Sequence, residues 1–325
     1  MENELIDLKE FNLSDEELFS RIDNSAISSE KITAPRYSYW KSVARVFFKK
    51  KINVILLSAL AVLVIFSFTY SLIAGFDRYE NITNRNAQLL SASEAFTMFS
   101  SNIKWIFGTG SQGQSLFNEL WQSTRISLSI AFICAAINLT IGIVLGAVWG
   151  YSKKIDIFMT EVYNIIGNVP YILLVSVIVL VTGGGFWPFV FALTVTGWIG
   201  IAYFIRTQVL IIRDREYNLA SRCLGTPIMR ITMKNVLPFM TSVIVTLAAT
   251  EIPSYISYEV FLSYIGFGMS EASLGKMIQA GQLYMNTAGK EFVFWIPVVV
   301  AGFTTVVLYV IGQNLGDASD PRTHM

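Results

Sequence analysis

Charge, histidine and cysteine are scarce in this sequence. Only 14% of its 325 residues are charged, whereas 53% are hydrophobic, and the formal net charge is +1. So little charge in so apolar a chain indicates an integral membrane protein and gives no reason to expect a nucleic-acid partner. A single histidine, His324, and two isolated cysteines, Cys134 and Cys223, predict neither a metal site nor a disulfide framework. We see no catalytic constellation and expect a protein that is not an enzyme.

Six long apolar stretches account for the missing charge. They cover approximately 52–74, 126–150, 157–182, 187–211, 237–262 and 292–313. Each is long enough to cross a hydrocarbon layer of about 30 Å as a helix, the form that bonds its own backbone in lipid. The sequence therefore predicts an all-α polytopic protein. Its parts are an N-terminal tail at 1–51 before the first span, an outer loop at 75–125, a core at 126–316 and a C-terminal tail at 317–325.

The distribution of Lys and Arg predicts the orientation. The basic residues cluster at 31–51, at Lys153 and Lys154, and at 213–234, and the segment from 31 to 51 contains no acid. Such clusters stay in the cytoplasm. The loop at 75–125 carries only scattered basic residues and is predicted to be extracytoplasmic. No apolar signal core lies near the N-terminus, so both tails are predicted to be cytoplasmic.

The basic segment at 212–236 predicts an elbow of two short helices. Ala220 and Ser221 lie in the first helix, and Gly225 is placed to end it in the left-handed conformation. Thr226 is placed to cap the second helix, with Pro227 as its first residue. A stiff elbow between two spans is a lever for a soluble partner. The candidate contact residues are Arg213, Arg215, Glu216, Ala220, Ser221, Arg222, Gly225, Thr226 and Pro227.

Small residues recur every fourth position on the second span, at Gly142, Gly146 and Gly150. This spacing lets two helices approach closely in lipid. It is typical of packing within one subunit, but it also fits packing against a second membrane subunit.

Few ionisable groups lie within the apolar spans. A charge near the bilayer centre costs about 2.5–3.5 kcal/mol, so such groups usually face protein or water. Glu251 is interpreted as a structural or pore-lining residue, with a proton site in an ion-driven transporter as the alternative. Glu259 lies near the outer end of its span, where a charge costs little. The pore candidates are Tyr163, Asn164, Glu251, Tyr255 and Glu259.

A glycine-rich pattern at 108–113 resembles a phosphate-binding loop but lacks its essential features. Gln114 stands where a lysine would reach the phosphates, and no strand is predicted before the pattern. We therefore expect no ATP hydrolysis by this chain.

The elbow resembles the signature loop of permease subunits in ABC importers. That family's pattern is Glu-Ala-Ala, three residues, Gly, nine residues and Ile-x-Leu-Pro; here the corresponding residues are 219–221, Gly225 and 235–238. The rest of the chain resembles the second, C-type permease of oligopeptide and dipeptide importers, in the Gram-positive branch. The similar segments are Tyr37–Trp40, Phe107–Thr109, Arg125–Leu128, Arg206-x-Gln208, Glu259–Gly268, Ser273–Gly275 and Asp320–Arg322.

This resemblance implies a type I ABC importer permease in the bacterial cell membrane. A homologous second permease would complete the pore, and an extracellular peptide-binding lipoprotein would deliver oligopeptides. Two cytoplasmic ATPases would bind ATP and Mg, so this chain, embedded in membrane lipid, would need no cofactor. The elbow would be the coupling helix that sits on one ATPase. The alternatives are an ion-driven secondary transporter and a peptide sensor without flux.

Overall fold

The computed structural model describes residues 38–74, 103–110 and 114–320, and most of them are helical. In chain order the main helices are α1 (Tyr39–Lys49), α2 (Lys51–Ala74), α3 (Leu116–Tyr151), α4 (Lys153–Gly167), α5 (Tyr171–Thr182), α6 (Phe186–Thr194), α7 (Trp198–Arg213), α8 (Glu216–Cys223), α9 (Ile228–Phe239), α10 (Thr241–Tyr264), α11 (Leu274–Gly281) and α12 (Phe292–Ser319). Within these ranges no strand forms beyond an isolated bridge between Thr109 and Ser115. The all-α prediction is confirmed. Most of the N-terminal tail and outer loop, and His324, lie outside the described residues.

The helices have the lengths that membrane crossing requires. Four helices, α2, α3, α6 with α7, and α12, are each long and apolar enough to span a bilayer. Two further pairs pass the same test together but are bent, α4 with α5 by 79° and α9 with α10 by 71°. If each bent pair forms one span, the total is six, as the sequence predicted.

The third span is broken where the sequence predicted one helix over 157–182. Helix α4 ends at Gly167 and α5 begins at Tyr171, with Pro170 between them. Proline has no N–H to bond the preceding turn, and it disfavours helical geometry in the residue before it. The break is therefore a local consequence of Pro170.

Helix α3 begins at Leu116, well before the predicted start at 126. Ser115 caps it, because its Oγ accepts a hydrogen bond from the N–H of Asn118 at 3.2 Å. Leu116 and Leu120 are buried in an apolar cluster with residues of α11 and α12. Residues 116–125 thus belong to the helical core rather than to the outer loop. Helix α12 likewise continues past 313 to Ser319, into the predicted C-terminal tail.

The small residues of α3 pack against α7 of the same chain. A Cβ atom added at Gly146 would lie 2.8 Å from Cβ of Ile205, and one at Gly150 would lie 2.7 Å from Cβ of Val209. Gly142 faces α7 one turn earlier. The interpretation of this stripe as packing within the subunit is confirmed.

The segment from Trp40 onward forms one unit, whereas Met1–Tyr39 lies almost wholly outside the described residues. The largest buried apolar cluster among the described residues of the unit from Trp40 onward joins α3, α5, α6 and α10. Cys134 is buried in this cluster, whereas Cys223 is exposed on α8. The two thiols are separate, as predicted.

Candidate functional site

The polar segment between α7 and α10 folds as an elbow of two helices. Helix α8 ends in a Schellman motif, in which the N–H of Gly225 donates to the carbonyl of Arg222 (2.9 Å). The N–H of Thr226 donates to the carbonyl of Ser221 (3.1 Å). Gly225 has a φ of +77°, in the left-handed region that residues with a Cβ avoid. The prediction that Gly225 ends the first helix is confirmed.

The second helix of the elbow begins one residue later than predicted. Pro227 is the N-cap of α9 and Ile228 is its first residue, with no side-chain cap. The prediction of Thr226 as the N-cap and Pro227 as the first helical residue was therefore wrong. The physical reason is that the backbone of Thr226 closes the Schellman motif of α8, so the cap of the next helix falls on Pro227 and the helix itself begins at Ile228.

A buried asparagine holds the two halves of the elbow together. Asn218 is completely buried, and its Nδ2 donates to the carbonyl of Ile212 at the end of α7 (2.9 Å). Its Oδ1 accepts a hydrogen bond from Nδ2 of Asn235 in α9 (3.2 Å). This contact was not predicted, although Asn235 lies in the signature segment 235–238, since a polar residue in a polar segment gives no signal of burial.

Two of the predicted coupling arginines contact their own chain. Arg213 donates from Nη1 to the carbonyl of Gly150 at the end of α3 (2.7 Å). The guanidinium of Arg215 lies 4.7 Å from the centre of the Phe239 ring, a cation–π contact. These contacts fix the start of the elbow to the end of α3 and to the end of α9.

The opposite face of the elbow is exposed and partly apolar. Of the other predicted coupling residues, Ser221 and Thr226 are half-buried; the exposed ones are Glu216, Ala220, Arg222, Gly225 and Pro227. Beside them, Leu224 is 86% exposed and Met229 is 60% exposed. Exposed apolar side chains grouped in this way are typical of a surface that contacts another protein or the membrane. The sequence analysis named the small and charged residues of this face but not the apolar ones.

A cavity of about 390 Å³ lies where the α4–α5 and α6–α7 connections meet the middle of α10. Its walls include three predicted pore candidates, Tyr163, Glu251 and Tyr255. Asn164 is exposed and is not among the lining residues, and neither is Glu259. The structure therefore brings three of the five candidates together.

Further tyrosines line the same cavity. Tyr258 follows Glu251 and Tyr255 at helical spacing on α10, so all three lie on one face of that helix. This spacing is a signal in the sequence that could have identified Tyr258. Tyr171 joins the wall from the first turn of α5, with its ring centre 5.1 Å from that of Tyr258.

A hydrogen-bonded network supports the cavity wall. Nδ2 of Asn138 donates to the hydroxyl of Tyr255 (2.6 Å) and to the carbonyl of Leu193 (3.3 Å). The Tyr171 hydroxyl donates to that same carbonyl (2.7 Å). This carbonyl can accept side-chain donors because it lies in the last turn of α6, which ends at the next residue. A Cβ at Gly197 would lie 2.6 Å from Nδ2 of Asn138, so only glycine leaves room for the network.

Glu259 has a different environment from the one its position suggested. It is completely buried, and its carboxylate accepts hydrogen bonds from Oγ of Ser127 (2.7 Å) and Oγ of Ser263 (2.9 Å). Oγ of Ser127 in turn accepts from the N–H of Leu274 (3.1 Å). Glu259 therefore links α3, α10 and the start of α11, and hydrogen bonds rather than water offset its burial.

An ion pair between Asp156 and Arg206 joins α4 to α7. The side chains are 23% and 15% exposed, respectively. Nε1 of Trp149 donates to Oδ1 of Asp156 (2.8 Å), and the guanidinium of Arg206 lies 5.6 Å from the Trp149 ring. Arg206 was noted in the sequence as part of a motif, but Asp156 was not.

The membrane-length helices, the cavity at the α4–α5 and α6–α7 connections and the exposed elbow define a multi-pass membrane transport subunit. The chain belongs to the family described as binding-protein-dependent transport system inner membrane component, whose sequence model matches residues 138–325. The match begins inside α3 and includes both the cavity and the elbow.

Curated relatives match over nearly the whole chain. The oligopeptide transport system permease protein AmiD of Streptococcus pneumoniae is 44% identical over 312 residues, which is 95% of this chain and 98% of that protein. The oligopeptide transport system permease protein OppC of Bacillus subtilis is 31% identical over 94% of this chain and 97% of its own length. The dipeptide transport system permease protein DppC of the same organism is 36% identical over 66% of this chain and 68% of its own length. The resemblance noted from sequence motifs is confirmed.

Among solved structures, a chain of the MetNI methionine ABC transporter in inward-facing conformations has a TM-score of 0.49 and 20% sequence identity. The similarity covers 61% of this chain and 96% of that one.

Proposed function

We propose that this chain is a permease subunit of an ATP-driven ABC importer that takes up oligopeptides delivered by an external binding protein. It forms half of the translocation pore and pairs with a homologous second permease. The similarity to oligopeptide permeases over almost the full length supports this substrate class.

The observation that carries the proposal is the exposed elbow. Its inner face is fixed to the spans through Asn218 and Arg213, whereas its outer face presents Arg222, Leu224 and Met229 to solvent. A force on the outer face is therefore transmitted to α7 and, through Arg213, to α3 rather than absorbed by a flexible loop. We infer that this face docks on a cytoplasmic ATPase.

In this proposal, ATP and Mg are bound by two partner ATPases, and this chain does not catalyse hydrolysis. The basic elbow and both termini lie in the cytoplasm, as the distribution of Lys and Arg indicates. The binding protein, expected to be a lipoprotein, docks on the outer side. ATP binding draws the ATPases together and rocks the spans attached to each elbow, so that access to the pore alternates.

Co-purification tests this assignment. The tagged chain is isolated from detergent-solubilised native membranes, and the accompanying chains are identified by mass spectrometry. We expect a second polytopic permease and ATPase subunits. Recovery of the chain alone, or only with copies of itself, would contradict the proposal. The ion-driven alternative predicts a different result. It would be established if the purified single chain transported its substrate without ATP and if Glu251→Gln abolished that transport.

A further inference from the structure

The cavity at the α4–α5 and α6–α7 connections has the chemistry of a site for a positively charged group. Its lining includes one carboxylate, that of Glu251, and four tyrosines, Tyr163, Tyr171, Tyr255 and Tyr258. No Lys, Arg or His is among the lining residues, so within the described part of the chain no cation lines the cavity beside this carboxylate. The volume of about 390 Å³ falls within the range of roughly 300–1,000 Å³ that is usual for small-ligand sites.

Four helix ends meet at this cavity, but they do not decide its charge. Helices α4 and α6 end beside it and α5 and α7 begin beside it, and the lining includes Gly167, Pro170, Thr196 and Gly197. A helix end is equivalent to roughly half an elementary charge, positive at the N-terminus and negative at the C-terminus. Two ends of each sign offset one another, so the full charge of Glu251 sets the sign of the site.

The polar groups of the cavity retain hydrogen-bonding capacity. The Tyr255 hydroxyl accepts from Asn138, keeps its own proton available for donation, and lines the cavity together with Glu251. A carboxylate has about four acceptor positions, so one donor leaves most of them available. Oγ1 of Thr196 is buried and has no hydrogen-bond partner in the described part of the chain. A ligand with several N–H donors matches the open acceptor positions of the carboxylate.

The aromatic walls select the kind of cation. Three tyrosine rings are grouped around Tyr258. The ring centre of Tyr171 lies 5.1 Å from that of Tyr258, and the ring centre of Tyr255 lies 6.0 Å from it. Tyrosine rings attract an ammonium group that lies within about 6 Å of their centre. A Ca²⁺ ion takes roughly six to eight oxygen ligands, and Mg²⁺ an octahedral set, which a site with one carboxylate does not supply. A primary ammonium, with three N–H donors, fits the surroundings better.

We propose that this cavity binds the primary ammonium group of the transported substrate, namely the N-terminal ammonium of a peptide. Glu251 supplies the counter-charge, and the tyrosine rings supply the walls. The inference rests on the proposed function, because it places a peptide in this chain's half of the pore. It adds a binding position within the membrane subunit, separate from recognition by the external binding protein.

Peptide binding to the complete importer tests this site. The permease is purified together with its partner permease and ATPases in lipid nanodiscs, without binding protein. Retention of radiolabelled tri-alanine is measured by equilibrium dialysis, with unlabelled tri-alanine or N-acetyl-tri-alanine as competitor. Glu251→Gln removes the charge at nearly constant shape, and Glu161→Gln on the exposed surface of α4 is the matched control.

We expect tri-alanine, but not its N-acetyl form, to displace the label. Glu251→Gln should lower the affinity by about tenfold or more, the effect of one lost favourable contact of 1.4 kcal/mol, and Glu161→Gln should not change it. Displacement by N-acetyl-tri-alanine, wild-type affinity in Glu251→Gln, or no retention by the wild type would each overturn the proposal. If Glu251→Gln fails to assemble, the competition on the unmodified complex decides. Uptake of tri-alanine and of N-acetyl-tri-alanine, with ATP and binding protein present, is measured in parallel. Equal import of the two peptides overturns the proposed ammonium site and leaves the proposed function intact.

Discussion

Replacing Gly225 with valine isolates the geometry of the elbow from its packing. A Cβ at this position would meet no heavy atom of residues beyond its chain neighbours within 4 Å, so the added Cβ itself has room. What it introduces is backbone strain, because Gly225 has a φ of +77°. The left-handed conformation costs an L-residue about 1–2 kcal/mol, and a β-branched side chain is among the least tolerant. That cost corresponds to roughly a 5- to 30-fold shift away from the native elbow.

The assay measures coupling in the assembled importer. Purified complexes are reconstituted into proteoliposomes with binding protein, and peptide uptake is divided by ATP hydrolysed. We expect Gly225→Val to lower this ratio by about 5- to 30-fold, while the amount of permease in the membrane stays unchanged. Gly225→Asn is the matched control, since asparagine tolerates the left-handed region, and it should keep most of the wild-type ratio.

Equal coupling ratios for the valine and asparagine variants would refute the argument from backbone conformation. A valine variant that is absent from the membrane would show that the elbow is needed for folding, a result that the room for an added Cβ at Gly225 argues against.

Three further predictions concern the contacts between spans. Gly146→Val should lower the free energy of unfolding of the subunit by about 1–3 kcal/mol through overpacking against α7. Gly302→Val is the control, because an added Cβ there meets nothing within 4 Å, and it should change the stability little. Thermal unfolding in detergent compares the two variants. Glu259→Ala should destabilise the chain by about 1–3 kcal/mol for each serine hydroxyl left without a partner, measured in the same way. Arg206→Ala leaves the half-buried Asp156 without its partner and should cost about 1–3 kcal/mol; adding Asp156→Ala to it should recover part of that loss.

Each of these predictions has an outcome that contradicts it. Equal unfolding temperatures for Gly146→Val and Gly302→Val would mean that α3 and α7 do not pack as described. An unchanged Glu259→Ala variant would mean that its hydrogen bonds contribute no net stability. Strict additivity of the two substitutions at the ion pair would mean that Asp156 and Arg206 do not interact.

Several features were predictable because they depend on residues that are neighbours in the sequence. Apolar runs of sufficient length predicted the membrane spans, and Gly225 predicted the end of α8, since few other residues adopt its conformation. Pro170 also predicts the break between α4 and α5, although we expected one continuous helix over 157–182. Motifs spread along the chain were enough to identify the family.

The contacts between helices depended on the tertiary structure. Asn138, Leu193, Tyr171 and Tyr255 come from four different helices and meet at one cavity wall. Glu259 could be read as a charge near a membrane surface until its serine partners on α3 and α10 were located.

The physical reason is the uniformity of the spans. A membrane helix that is apolar on every side has no marked face, so its sequence leaves open how it is rotated and which side chains point inward. Local backbone preferences and length are encoded by adjacent residues and survive in any packing. The partners of Glu251 and Glu259 depend on the rotation and register of several helices at once, which only the assembled fold decides.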